Sequence, residues 1–178
     1  MARNSPPAKF GHLELTFPRG ALTKQMCADI DSFWCGVFEW SSYDVDYPQY
    51  DNLFQHRLSA DGQTIVLAEA DEAMALPTQA VGQGPGETVA VPHLGLELAS
   101  VEEVERVLGG CLRFQETDPR VKVWDAGENR FEGHHGLHRG FLVSFLIPIW
   151  FDVYATRWDP GFEPQQGWRY FDAASPGV

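Results

Sequence analysis

Two histidines and two acids offer the clearest chemistry in this sequence. His12 lies in the alternating stretch Phe10-Gly11-His12-Leu13-Glu14-Leu15-Thr16-Phe17. His93 lies in Val91-Pro92-His93-Leu94-Gly95-Leu96-Glu97-Leu98, 81 positions later. Glu69 follows His12 by 57 residues and Asp152 follows His93 by 59, each near the end of a later apolar stretch. Brought into one cavity, two imidazoles and two carboxylates make a mixed nitrogen and oxygen site for a divalent first-row ion (Fe, Mn, Ni or Zn). One or two coordination positions would stay open for water or substrate. Such an ion polarises a carbonyl or enediolate oxygen and stabilises charge as it develops. A ligand carboxylate, Glu69 or Asp152, can swing off the ion and serve as general base. Glu14 shares a strand face with His12 and is the substitute ligand if Glu69 points away.

The elements that must position these groups follow from hydrophobic period. After the first strand, Pro18-Arg19-Gly20 breaks the chain. Leu22, Met26, Ile30, Phe33, Trp34 and Val37 then recur at three and four, predicting a helix. Strands are predicted over 39–46, 52–59 and 63–70, with Asp61-Gly62 as a hairpin signal between the last two. Residues 71–91 lose periodicity and read as a linker. The pattern then restarts. After the His93 strand, Ser100 and Glu103 form a capping box. Val101, Val104, Val107 and Leu108 supply a helical stripe ending at Gly109-Gly110. Strands are predicted near 120–125, 139–146 and 150–158, with a polar loop over 126–137.

Each half therefore reads β-α-β-β-β, over 10–70 and 92–158, as an internal duplication within one domain. Residues 1–9 read as a leader. The tail 159–178 carries Phe162, Trp168, Tyr170 and Phe171, which predict packing on the body. The expected fold class is α+β, two modules pairing into a curved mixed sheet around a shared cavity, where equivalent positions converge.

In this order the chain resembles the vicinal oxygen chelate superfamily of glyoxalases, bleomycin-resistance proteins and extradiol dioxygenases. The resemblance rests on His12-Leu13-Glu14-Leu15, Phe33-Trp34-Cys35-Gly36-Val37-Phe38-Glu39-Trp40, His93-Leu94-Gly95-Leu96 and Trp150-Phe151-Asp152-Val153-Tyr154, and covers residues 10–158. It implies that His12, Glu69, His93 and Asp152 hold the ion, with Asp152 standing where relatives more often have Glu. The implied function is a metal-dependent lyase or isomerase, with dioxygenase chemistry behind it. The implied substrate is a small carbonyl-bearing or aromatic metabolite chelated through vicinal oxygens. The alternative is a metal-free resistance protein that sequesters a hydrophobic drug or natural product. For a dioxygenase, the resemblance expects a second histidine near Phe141 or Leu142, and His138 is the candidate substitute. A homodimer is also implied.

Other features frame this reading. His134, His135 and His138 form a dense cluster whose spacing matches no closed zinc site. It reads as a solvated loop, or as a lid or proton-transfer element carried by His138. In the aromatic stretch Phe141, Phe145, Trp150, Phe151, Tyr154 and Trp158, about half should face helices. Phe141, Trp150 and Tyr154, with Glu14, are the candidates to contact substrate. Gly82-Gln83-Gly84-Pro85-Gly86 follows no strand-to-helix switch and does not read as a phosphate loop. No basic pair is evident for the carboxylates of glutathione. The 178 residues carry 25 acidic and 13 basic side chains, a net charge of −12, which argues against nucleic acid or an anionic membrane as partner. Cys27, Cys35 and Cys111 cannot all pair and are expected to be reduced. With no signal-peptide core and no run of ~18 apolar residues, the expectation is a cytoplasmic chain.

Overall fold

A computed structural model describes residues 12–47, 53–60, 63–71, 93–130 and 135–162. The chain divides into two compact units, Met1–Ala75 and Leu76–Val178, each holding one β-α-β-β-β module. The first contains β1 (His12–Pro18), α1 (Lys24–Phe38), β2 (Ser41–Tyr47), β3 (Leu53–Ala60) and β4 (Gln63–Ala70). The second contains β5 (His93–Glu97), α2 (Val101–Thr117), β6 (Lys122–Asn129), β7 (Gly136–Ser144) and β8 (Trp150–Trp158). The strand orders are β1-β4-β3-β2 and β5-β8-β7-β6. In each sheet the first and last strands pair in parallel, while the remaining strands form an antiparallel meander. The fold class is α+β: two four-stranded mixed sheets, each with one helix.

The helices follow from their apolar stripes and caps. The Thr23 hydroxyl accepts from the Met26 N–H at 3.2 Å and starts α1, which ends where Glu39 turns left-handed at φ 59°. Cys27, Ile30, Phe33, Trp34 and Phe38 are buried, and Trp34 stacks on Trp40 with ring centres 5.4 Å apart. The aromatic segment that carries the family resemblance is thus core packing. The Ser100 hydroxyl accepts from the Glu103 N–H at 3.3 Å and caps α2, which buries Val104, Val107, Leu108 and Cys111.

Contrary to expectation, α2 runs through Gly109-Gly110 to Thr117. Two glycines cost a helix about 1 kcal/mol each. The fully buried Cys111 that follows them favours continuing the helix. The expected loop over 126–137 is shorter than predicted, because β6 extends to Asn129 and β7 begins at Gly136. A register shift between Asp125 and Gly127 allows the extension. Gly127 takes a φ of +70° and donates its N–H to the Asp125 carboxylate at 2.9 Å. The leader and the Gly82–Gly86 stretch lie outside the described residues, as do Trp168, Tyr170 and Phe171. Of the tail aromatics, Phe162 packs on Trp158 with centroids 5.3 Å apart. No described helix is long and apolar enough to cross a membrane. All three cysteines are free.

Candidate functional site

The second module gathers polar groups on one face through strand register. β5 and β8 pair His93 with Trp150, Gly95 with Asp152 and Glu97 with Tyr154. Strand partners, and every second residue along a strand, project from the same side. His93, Trp150, Asp152, Tyr154 and Thr156 therefore share one surface. β7 adds Leu142, Gly140 and His138 opposite Asp152, Tyr154 and Thr156. α2 covers the other side of the sheet, where Arg139 of β7 donates its Nε–H to Glu105 of α2 at 2.6 Å.

On this open face, burial pushes the Asp152 carboxyl above its ordinary range, and the charges of His138 and His93 oppose that shift. A half-buried acid near imidazoles is a group whose charged form a cation would stabilise. Two glycines make room around it. A Cβ at Gly95 would come within 3.3 Å of the Tyr154 ring, and one at Gly140 within 3.2 Å of both His138 Nε2 and Tyr154 Cβ. The bare backbone lets His138 and Tyr154 lie together, ring centres 4.8 Å apart. Leu142 and Trp150, with Trp124 against them, form an apolar cluster on the same face.

The first module differs. β1 and β4 pair His12 with Thr64, Glu14 with Val66 and Phe17 with Glu69. His12 and Glu14 share the face turned from α1, together with Arg57, which lies 5.9 Å from the Tyr43 ring centre. Glu69 lies on the opposite face and five positions further along, so the pairing does not bring it to His12. Its Oε1 instead accepts the Leu22 N–H at 2.8 Å, tying the loop before α1 to the sheet. This corrects the expectation from spacing. Two residues beyond the strand partner of His93 stands Asp152, but two beyond the partner of His12 stands Val66.

Two further expectations change. Phe141 has no exposed surface and pairs with Val153 and Asp125 on the side covered by α2, so it is core rather than a substrate contact. The histidine cluster disperses: His134 lies outside the described residues and His135 stacks on Phe162 with centroids 4.4 Å apart. Only His138 joins the Asp152 face. Among the described residues, no three His, Cys, Asp or Glu side chains converge closely enough to hold a metal ion. His93 and Asp152 nevertheless have the donor chemistry of a mixed nitrogen and oxygen site, and the unfavourable burial of Asp152 suits a cation there.

Sequence reasoning missed His56. Buried at 2% exposure beneath α1, it faces Asp44 through Nδ1 at 2.7 Å and Asp31 through Nε2 at 2.9 Å. A cavity of about 800 Å³ beside it is lined by Leu22, Cys27, Asp31, Asp44 and Glu69. The alternation Phe54, His56, Leu58 is the sequence signal for that inward histidine.

A β-α-β-β-β module used twice, its first and last strands parallel, is the fold of the vicinal oxygen chelate superfamily. Solved structures with this fold include the fosfomycin resistance protein FosX from Listeria monocytogenes. It matches with a TM-score of 0.53 at 12% identity, over 85% of this chain and 96% of that one. A glyoxalase family protein from Bacillus anthracis matches at 0.51 and 10% identity, over 86% and 98%. A point mutant of the same FosX, complexed with Mn(II) and 1S,2S-dihydroxypropylphosphonic acid, matches at 0.50 and 11% identity, over 84% and 93%. FosX and the glyoxalase family belong to this superfamily, and at these identities the likeness is one of fold. No protein-family model and no curated protein matches the sequence.

Proposed function

We propose that the chain is a metal-dependent enzyme of the vicinal oxygen chelate type, acting by lyase or isomerase chemistry on a small molecule that presents vicinal oxygens. The observation that carries this reading is the placement of His93 and Asp152 on one face of the second sheet, with Asp152 held in surroundings that favour a nearby cation. The Mn(II) complex of FosX supports it by likeness of fold. His93 and Asp152 would hold the ion, and the resemblance adds His12 as a further donor. Glu69 is left out of the set, because its carboxylate serves the loop before α1, and Glu14, which shares a strand face with His12, is its substitute. A bound divalent ion would supply electrophilic stabilisation of a developing enolate or alkoxide.

The chain's own side chains supply the rest. His138, whose ring lies beside that of Tyr154, would carry a proton at the edge of the site. Tyr154 and Trp150, with Leu142 and Trp124, form a wall against which a small planar substrate packs. The test is the metal content of the purified protein, together with calorimetric titration of the metal-stripped protein with Mn(II) and Zn(II). Saturable binding lost in His93→Ala supports the assignment. A protein that binds no divalent transition metal, yet takes up an aromatic compound irrespective of chelator, is the sequestering protein of the alternative reading.

A further inference from the structure

The cavity of about 800 Å³ in the first module lies between α1 and its sheet, on the side opposite His12 and Glu14. Pockets of this size hold small organic ligands. Strand register builds its wall. β2 sets Asp44 opposite His56 and Asp46 opposite Phe54. Glu69 of β4 stands one row beyond the pair of Ala68 with Gln55, in the row of Phe54. From α1, Asp31 comes to within 2.9 Å of His56 Nε2. Leu22, Ala28 and Phe54 supply the apolar part of the wall.

The charge of this cavity is one-sided. Asp31, Asp44, Asp46 and Glu69 line it, against the basic side chains of Lys24 and the buried His56. Even with both bases charged, the acids are in excess. That excess is felt at Cys27 in the same wall. Burial pushes its thiol up to about 11, and the charges of Asp44, Asp31 and Glu69 push the same way. The positive end of α1 also reaches the cavity, but the protein answers it. Glu69 accepts the Leu22 N–H at 2.8 Å, and the Thr23 hydroxyl accepts the Met26 N–H at 3.2 Å. The acids are also spread. Asp44 and Asp46 stand about 7 Å apart along β2, and Asp46 and Glu69 stand two strands apart, about 10 Å. Among the described residues, no three His, Cys, Asp or Glu side chains converge on one point as a bare metal ion requires. Spread acceptors around an apolar wall suit a cation whose charge is itself spread along a carbon chain.

We propose that this cavity is a second binding site, and that its ligand is an aliphatic diamine or polyamine. His56 and the Leu22 N–H engage one oxygen each of Asp31, Asp44 and Glu69. Each carboxylate has a second oxygen, and Asp46 adds two more. An ammonium group brings three donors and no acceptor, so it matches this wall, and its bonds to carboxylates are charge-assisted. The methylenes between two ammonium groups pack on Leu22 and Phe54. The site does not rest on the metal reading above, since its residues belong to the first module and to the helix side of that sheet.

Cadaverine, an unbranched diamine, is the probe. It is titrated by calorimetry at low salt into the metal-stripped full chain and into Asp46→Asn, Asp44→Asn, Asp152→Asn and Glu116→Gln. Glu116 is an exposed acid of α2 and reports diffuse attraction to an acidic protein. The expected result is saturable binding at one site, weakened about tenfold by Asp46→Asn and by Asp44→Asn. Glu116→Gln and Asp152→Asn should bind as the wild type does, the latter separating this site from the metal site. Amide resonances of Leu22, Cys27 and Phe54 should shift on adding cadaverine. Asp46 is exposed, so its variant keeps the fold and decides the matter even if Asp44→Asn unfolds. The absence of saturable binding overturns the proposal. So does equal weakening by Glu116→Gln, or wild-type affinity in Asp46→Asn. Displacement of cadaverine by an equimolar amount of Mg(II) also overturns it, because the site would then be one for a bare metal ion.

Discussion

The two modules share a backbone plan and differ in what they place on each side of the sheet. On the open side, the histidine at the start of the first strand is common to both. The positions around it are not: Asp152, Tyr154 and Leu142 of the second module correspond by register to Val66, Ala68 and Arg57 of the first. Beneath the helices the contrast reverses. The first module buries His56 between two aspartates where the second buries the fully enclosed Phe141. A duplicated fold fixes strand order and leaves side-chain chemistry free to diverge on either face. Asp152 therefore has no counterpart at the matching position of the first module, where the acid on the histidine's face is Glu14 of β1.

The largest stability effect is expected where a charge is buried beneath α2. Arg139, 5% exposed, donates to Glu105 at 2.6 Å and to Asp125 at 3.2 Å. Replacing it with methionine should cost about 2–3 kcal/mol in denaturant unfolding, less than for a fully enclosed pair because both acids are about half exposed. The first module offers a milder counterpart. Glu69→Ala removes the acceptor for the Leu22 N–H and should cost about 1–2 kcal/mol while leaving metal affinity unchanged. A large drop in metal affinity would return Glu69 to the ligand set.

His56→Phe, which gives the first module the residue of the second, should change stability by no more than about 1 kcal/mol. Asp31 and Asp44 are 35% and 60% exposed and can take up water instead. Unfolding of that variant at low denaturant would show that the aspartate–histidine–aspartate contact is needed for the fold. Smallest of all, Cys111 and Cys27 should resist alkylation in the native protein at pH 8. Burial pushes their thiols up to about 12 and about 11, with the nearby charges of Asp44, Asp31 and Glu69 adding to the shift at Cys27. Intact-mass analysis after alkylation checks this. Rapid modification of both would mean that α1 and α2 open readily.

Much of the fold is legible in the sequence because period and punctuation are local. The strands 63–70 and 150–158 stand where the sequence pattern places them, and the start of α2 follows from Ser100. The end of α2 is not legible, since the burial that carries a helix past two glycines is a tertiary effect. The site is legible in part. That Asp152 shares a strand face with Trp150 and Tyr154, beside His93, follows from period-two alternation. Glu69 is misplaced by spacing because equal sequence intervals do not guarantee equal register. Its strand begins earlier relative to His12 than β8 does relative to His93, and parity then turns the side chain to the other face.

The proposed metal site, with Asp152 rather than Glu69 as its acid, is tested most directly by calorimetry. Mn(II) is titrated into metal-stripped wild type, Asp152→Asn and Glu69→Gln. The predicted result is one site per chain, weakened at least about 100-fold by Asp152→Asn and unchanged by Glu69→Gln. Equal binding by wild type and Asp152→Asn, or no binding by any of the three, would contradict it.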